Sequence, residues 1–260
     1  MSSTQVQGAQ VVSRIAALLR FVGRRAEGTS LSEVVRDTGL TRPTAHRLLT
    51  ALTVEGLLDH QPTAKTWSLG PEFHVMASVA AAQFPIGNIV RPSLHRLADK
   101  TEESAFFSLR RGNQTVCLMR EDGSFPIRTF TLMEGTRYPL GVASAGIAIM
   151  AFLSREEQDE LFAEGEWRSE KFGQAHIIEA IRPRLERARA QGYSVNPGLI
   201  LEGSWGMGAA IFDRNKNPVY ALSLTGIESR FSGERQEFLG KALLTEAHRL
   251  TLQLQRPWAQ

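Results

Sequence analysis

Along the first seventy residues the apolar positions fall three times at the spacing of a helix. Val11, Ile15, Leu18, Leu19 and Val22 make the first stripe and predict a helix over 11–22. Ser30 followed by Glu33 has the spacing of a capping box, in which hydroxyl and carboxylate each satisfy a free amide, so a second helix is expected to begin near Leu31. Gly39 supplies the backbone freedom for a sharp turn. Thr41 then stands as an N-cap, and Pro43 is tolerated in the first turn because its missing N–H is not needed there. Ala45, Leu48, Leu49 and Leu52 follow as the third stripe. Beyond them the period becomes that of strands. Leu57 and Leu58 open an extended segment, residues 61–65 turn it, and 66–69 bring it back, with Trp67 and Leu69 expected to face inward.

Three helices and a two-stranded wing make residues 1–70 a winged helix-turn-helix. Residues 72–83 (EFHVMASVAAAQ) return to helix formers rich in alanine and valine and read as a linker helix within 71–87, with small residues that would let a second copy approach closely. A second region starts near Pro85 to Asn88 and occupies 88–260. Its pattern predicts a helix over 89–100, strands over 104–110 and 115–120 about a turn at Gly112-Asn113, and another strand over 127–132. A loop then leads into a buried helix within 141–153, followed by helices over 155–163 and 175–190. Strands over 205–213 and 219–225 about Asn215-Lys216-Asn217 precede a closing helix over 233–254. Helices and hairpins in mixed order imply an α+β fold with an antiparallel sheet.

Composition narrows the class. With 260 residues, 42% hydrophobic and 22% charged, the chain has the make-up of a soluble globular protein of about two domains. No apolar run approaches a membrane span, and MSSTQVQGAQ has no basic stretch leading into an apolar one, so neither a membrane partner nor a signal peptide is expected. The lone Cys117 allows no internal disulfide and no cysteine-based zinc site, which suits a cytoplasmic protein. Residues 1–70 carry eight basic and five acidic side chains, so the whole formal excess of +3 lies in the helix-turn-helix region. The outward face of the third helix, Pro43, His46, Arg47 and Thr50, with Arg42 and Thr44 at its N-terminal end, is basic, and no carboxylate occurs between Thr41 and Val54. That is the face a recognition helix presents to a major groove, and Lys65 at the wing tip is placed to reach a neighbouring phosphate, or else is a solvated turn residue.

Catalytic patterns fail on geometry. Residues 141–146 read G-x-x-S-x-G, one residue too long for a nucleophile elbow. Gly203, Gly206 and Gly208 lack the dinucleotide spacing, and no phosphate-loop lysine follows. His176 and Glu179 have no third ligand at metal spacing and read as a surface pair. Cys117 lies in an apolar strand as a small hydrophobe. No cofactor and no metal are expected.

With these stretches in order, SLSEVVRDTGLTRPTAHRLLTALTVEGLL closing on WSLG, then YPLGVASAGIAIMAFLS, GYSVN and AAIFDRNKNPVYALSLTG, the chain resembles a bacterial transcriptional regulator of the IclR (isocitrate lyase regulator) family over nearly its whole length. The resemblance implies a winged helix-turn-helix, a linker helix and a GAF-like α/β effector-binding domain. It also implies a double-stranded DNA operator as partner, a small-molecule effector, and a homodimer or a dimer of dimers. Carried over from the family, Ile127 and Phe130 would wall the effector pocket and Ser144 and Ala145 would present backbone amides. Asn196, Ser223 and Thr225 would hydrogen-bond the ligand, and Gly206 falls where relatives can have cysteine. Ile147 departs from a frequent lysine and Asn196 from an acid, so the ligand need not match that of other members. A reading of another class, a small-molecule-binding protein or enzyme whose N-terminal unit serves protein contacts, is disfavoured by the missing catalytic set.

Overall fold

The computed structural model describes residues 10–25, 27–83, 86–163 and 167–255. The chain divides into two compact units, residues 1–85 and 86–260. Of the boundary expected near Pro85 to Asn88, Pro85 falls outside the described residues and Asn88 lies within the first helix of the second unit.

The first unit runs α1 (Gln10–Val22), β1 (Thr29–Ser30), α2 (Leu31–Thr38), α3 (Arg42–Val54), β2 (Leu58–Gln61), β3 (Thr66–Leu69) and α4 (Glu72–Gln83). The capping box forms: the Ser30 amide donates to Glu33 Oε2 at 2.7 Å, and the Glu33 amide donates to Ser30 Oγ at 3.3 Å. Gly39 ends α2 in the left-handed region (φ +69°), where a side chain would be strained. Thr41 stands at the N-cap of α3 in extended conformation, but its hydroxyl meets Thr44 Oγ1 at 2.9 Å instead of a backbone amide. Ala45, Leu49 and Leu52 close over Leu18, Val22, Val34, Leu58 and Trp67 in one core, with Leu48 at its edge. Each of the larger aliphatic side chains so buried contributes about 1.5–3 kcal/mol relative to exposure.

Three details differ from expectation. The wing has three strands, in the order β1-β3-β2, because Thr29 and the capping-box residue Ser30 pair with β3, a run too short for any period to reveal. Leu69 is 42% exposed: at the end of β3 it lies against Gly23, which has no side chain to cover it. Val11 is exposed, one turn beyond the start of the buried stripe. In α4, Val75, Met76 and Val79 are exposed and none of the described side chains is buried.

The second unit opens with α5 (Ile86–Thr101), β4 (Ser104–Arg111), β5 (Gln114–Glu121), β6 (Arg137–Pro139), α6 (Ser144–Ala151), α7 (Arg155–Ala163) and α8 (Trp167–Phe172). A 3-10 turn (Gln174–His176), α9 (Ile178–Gln191), β7 (Tyr193–Pro197), β8 (Ser204–Phe212), β9 (Pro218–Ile227), a second 3-10 turn (Glu228–Arg230) and α10 (Glu234–Leu254) complete it. The six strands form one antiparallel sheet in the order β6-β5-β4-β9-β8-β7. Alternation along β8 decides what each face receives. Met207, Ala209 and Ile211 pack with α5 and α10 through Leu94, Leu97, Leu239, Leu243 and Leu250. Gly206 and Gly208 face α6, which is buried along its whole length and packs on α9 through Ile147, Ile149, Ile181 and Leu185.

The strand expected over 127–132 does not form. The stretch between β5 and β6 contains Pro126, which has no N–H to donate, and it turns at Gly135 (φ +79°). Its Leu132 packs on Phe106, Cys117 and Tyr138 without a ladder partner. The edge strand is β6 instead. The helix expected over 175–190 is a 3-10 turn followed by α9, and α8 and β7 had no expectation at all. Among the described residues no helix is long and apolar enough to cross a membrane.

Candidate functional site

On the first unit, Arg42, Pro43, His46, Arg47 and Thr50 are exposed along one face of α3, and Thr44 is half-buried at its start. Among the described residues, Arg42, His46 and Arg47 make no ion pair or side-chain hydrogen bond. The acid that precedes the helix in sequence, Asp37, is held by Arg36 at 2.7 Å and Arg25 at 3.0 Å, which keeps its carboxyl below the usual range. The basic face is therefore left uncompensated, as phosphate contact requires. Lys65 is exposed at the wing turn with φ +54°, and beneath the wing His60 stacks on the buried Trp67 at 4.3 Å between ring centroids.

On the second unit, Ser144, Asn196, Gly206 and Thr225 come together in the wall of one cavity of about 30 Å³. Thr131, Leu132, Tyr138, Ala143, Ile200, Ser204 and Trp205 complete the wall, and it contains no charged side chain. Gly208 brings the helix to the sheet: a Cβ there would lie 2.9 Å from the carbonyl of Ser144 and 3.0 Å from the amide of Ala145. The glycine cluster that fails as a dinucleotide loop thus serves close helix–strand approach. No side chain caps the start of α6, so its first amides keep the partial positive charge of a helix N-terminus. Ala145 lies just behind the wall, buried.

The hydroxyls of Thr225 and Ser223 are buried without a hydrogen-bond partner among the described residues. Asn196 is committed differently. Its Nδ2 donates to the Val142 carbonyl at 2.9 Å and its Oδ1 accepts from the Leu199 amide at 3.0 Å. Ile127 and Phe130 do not join the cavity; they are 55% and 70% exposed, and Phe130 lies under the Arg120 guanidinium. Their neighbours Thr131 and Leu132 cover it instead. Tyr138 donates its hydroxyl to the Thr131 carbonyl at 2.7 Å, and Thr131 Oγ1 lies 3.4 Å from Ser204 Oγ. Sequence reasoning missed this cover, although alternation along the stretch placed Leu132 on the same side as Phe130. The position of Ile147 is fully buried in the core of the second unit, so the cavity gains no cation from it.

The other candidates are not sites. His176 is buried, correcting the surface pair with Glu179: its Nδ1 lies 2.9 Å from the Phe172 carbonyl, and burial lowers its pKa. Cys117 is buried and its thiol is pushed up to about 12, chiefly by burial. Among the described residues no group of acids, histidines and cysteine could hold a metal ion.

A winged helix-turn-helix with a bare basic face, in one chain with an α/β domain that closes over an uncharged cavity, is the arrangement of a one-component transcriptional regulator. Comparison with known proteins specifies which kind. Residues 79–251 match the family model of the bacterial transcriptional regulator IclR C-terminal domain, and residues 11–62 match that of the IclR helix-turn-helix domain. The chain belongs to the IclR family of DNA-binding regulators, which join a helix-turn-helix to a C-terminal ligand-binding domain.

It is 26% identical over 229 residues to the transcriptional regulator KipR of Bacillus subtilis, covering 88% of this chain and 90% of that one. It is 26% identical over 234 residues to the repressor AllR of Salmonella typhi, covering 89% and 85%. Among solved structures it is similar to an IclR regulator from Alicyclobacillus acidocaldarius (TM-score 0.78, 22% identity, 93% of this chain and 97% of that one). An IclR homolog complexed with 4-hydroxybenzoate from Microbacterium hydrocarbonoxydans also has the fold (TM-score 0.76, 20% identity, 94% and 98%).

Proposed function

We propose that the chain acts in the cytoplasm as a homodimer or dimer of dimers on a double-stranded DNA operator, without catalysing a reaction. A carboxylate or aromatic metabolite in the second unit modulates that binding. The observation that carries the DNA half is the outward face of α3, where Arg42, His46 and Arg47 stand exposed and uncompensated. Arg42, Pro43 and Thr44 meet base edges, His46, Arg47 and Thr50 line the groove, and Lys65 reaches a phosphate from the wing. The exposed Val75, Met76 and Val79 of α4 support a linker helix within 71–87 that is covered by a second copy.

For the ligand half, the uncapped start of α6 at Ser144 and Ala145 suits a carboxylate, because free amides and the helix dipole both favour an anion. The unpartnered hydroxyls of Ser223 and Thr225 supply donors that no protein acceptor uses. A cavity of about 30 Å³ holds little more than a water molecule, so an effector enters by lifting Thr131 and Leu132. Ile127 and Phe130 turn inward over the ligand when that segment moves. The 4-hydroxybenzoate held by the Microbacterium relative is an aromatic carboxylate and supports this class.

The test is nuclease protection on the chain's own promoter region. Protected half-sites related by a two-fold axis and spaced by about 34 Å or a multiple are expected, and a footprint without two-fold halves removes the proposal. Arg47→Ala should weaken binding by about 1–3 kcal/mol at unchanged melting temperature. Ser223→Ala should alter release by added 4-hydroxybenzoate and spare DNA binding.

A further inference from the structure

The segment that covers the cavity at the start of α6 is pinned at both ends. At its root, Gly123 packs so closely on the chain that a Cβ there would overlap the Glu102 carbonyl, and the Phe125 amide donates to the same carbonyl at 3.0 Å. The Arg230 guanidinium carbon stands 3.9 Å over the Phe125 ring. Arg230 donates in turn to Glu103, which is only 2% exposed, and to Glu102 at 2.8 Å. Arg235 adds bonds to Glu103 at 3.2 Å and to the Thr101 carbonyl at 2.7 Å. Hydrogen bonds between ionised groups are about twice as strong as neutral ones, so this end is firmly fixed. The cavity floor is fixed to the same cluster: a Cβ on Gly226, next to Thr225, would overlap the Glu103 carboxylate. At the far end the Gly135 amide donates to the Cys117 carbonyl at 2.8 Å, and the Cys117 amide to the Thr136 carbonyl at 2.9 Å.

Between these pins the hold is slight. Among the described residues no backbone hydrogen bond joins 126–134 to the sheet. Arg128 is bonded to Asp122 and to the Gly123 carbonyl, and the Met133 amide to Thr136 Oγ1, all near the segment's own ends. Glu134 accepts the Arg120 amide at 3.2 Å on the exposed side. Over the cavity itself there are two neutral contacts. The Tyr138 hydroxyl donates to the Thr131 carbonyl at 2.7 Å, while Thr131 Oγ1 lies 3.4 Å from Ser204 Oγ, longer than an ordinary O–H···O bond. Tyr138 is well placed to hold. It stands on β6, paired with Thr115 of β5, and its ring meets Phe172 edge-on at 6.1 Å.

We infer that Tyr138 is a positioning residue of the effector site: its hydroxyl latches residues 126–134 over the cavity, and breaking that bond lets the segment swing out between the pins at Phe125 and Gly135. The inference rests on the reading that an effector enters under this segment. A neutral bond in the middle yields before the ion-paired root does, so opening displaces Thr131 and Leu132 and leaves the floor at Thr225 in place.

Cys117, the chain's single cysteine, reports the opening without any ligand. It is 1% exposed and shares its apolar cluster with Leu132, and a buried thiol is inert until its cover leaves. The rate at which an aryl disulfide reagent labels it in the native full-length protein tests the latch. Tyr138→Phe keeps the ring and removes the donor. Labelling should rise about fivefold, the change expected for one lost hydrogen bond. The rate should be flat in low urea, because a local opening exposes little surface. Thr131→Val keeps the carbonyl that Tyr138 uses and should raise the rate less, and Ser30→Ala, in the first unit, should leave it unchanged. Equal labelling in wild type and Tyr138→Phe, or a rise that climbs steeply with urea as global unfolding does, overturns the inference. If Tyr138→Phe labels faster while added 4-hydroxybenzoate alters neither labelling nor operator binding of the wild type, the latch stands and the assigned class of effector falls.

Discussion

Asn196 donates to the carbonyl of Val142 at 2.9 Å and so ties β7 to the loop that opens α6. The same side chain accepts the Leu199 amide at 3.0 Å, so one residue holds both margins of the cavity at the start of α6. Removing it by Asn196→Ala strands a buried carbonyl and a backbone amide. A loss of about 1–3 kcal/mol is expected in urea unfolding. Unchanged stability would mean that the loop is held by other contacts. Asn196→Asp keeps the acceptor and loses the donor, placing a carboxylate against a carbonyl, and is expected to cost at least as much.

Gly208 is required by a close approach. Its φ is ordinary, but a Cβ would press on the carbonyl carbon and oxygen of Ser144 at 2.9 Å, and backbone at a helix start has no side-chain freedom with which to yield. Gly208→Ala should destabilise the second unit by about 1–3 kcal/mol. It should also blunt the response of DNA binding to effector, because the amides of Ser144 and Ala145 are displaced. Thermal unfolding and operator titration with and without effector measure the two effects.

Ser30 and Glu33 close a reciprocal cap on α2, and the Ser30 amide bond lowers the Glu33 pKa. Ser30→Ala leaves the Glu33 amide without its side-chain acceptor. About 1 kcal/mol should be lost from the first unit. Helix α2 supports α3, so protection of the α3 amides in hydrogen exchange should fall together with stability. Intact protection would show that α3 is held without the cap.

His176 gives the stability a pH dependence of defined sign. Burial, helped by the charge of Arg184 and opposed by the bond to Phe172, holds its pKa below the usual 6.5. The folded protein keeps the ring neutral where the unfolded chain takes up a proton. The stability it confers is complete above about pH 6.5 and declines as the pH falls through the folded pKa, by at most about 1.4 kcal/mol per pH unit. Urea midpoints at pH 7.5 and 5.5 should therefore differ, and the difference should shrink in His176→Gln. An equal difference in the variant would assign the dependence to other groups.

Much of the first unit was legible because its signals are local. A capping box acts over four residues, Gly39 acts at one, and an apolar stripe such as Ala45, Leu49 and Leu52 is set by the helical period alone. The outward basic face of α3 follows from the same period once the inward face is known. The C-terminal unit was legible where a segment made its own pattern, as in α10 or the hairpin of β4 and β5. It was not where a partner decided. β1 exists because β3 lies beside it, β7 because β8 does, and residues 127–132 remain outside the sheet although their composition suits a strand.

The sequence by itself determined the elements that carry their own local pattern, the order of the two units and the resemblance to a ligand-responsive regulator, since periodicity, caps and motif order are properties of neighbouring residues. Only the tertiary structure decided which residues meet. It placed Thr131 and Leu132 over the cavity and left Ile127 and Phe130 outside. It tied Asn196 to Val142 across fifty-four positions of chain, and it buried Arg184 against the carbonyls of Ala175 and Ala180. Those relations depend on burial and on partners distant in sequence, which no local pattern encodes.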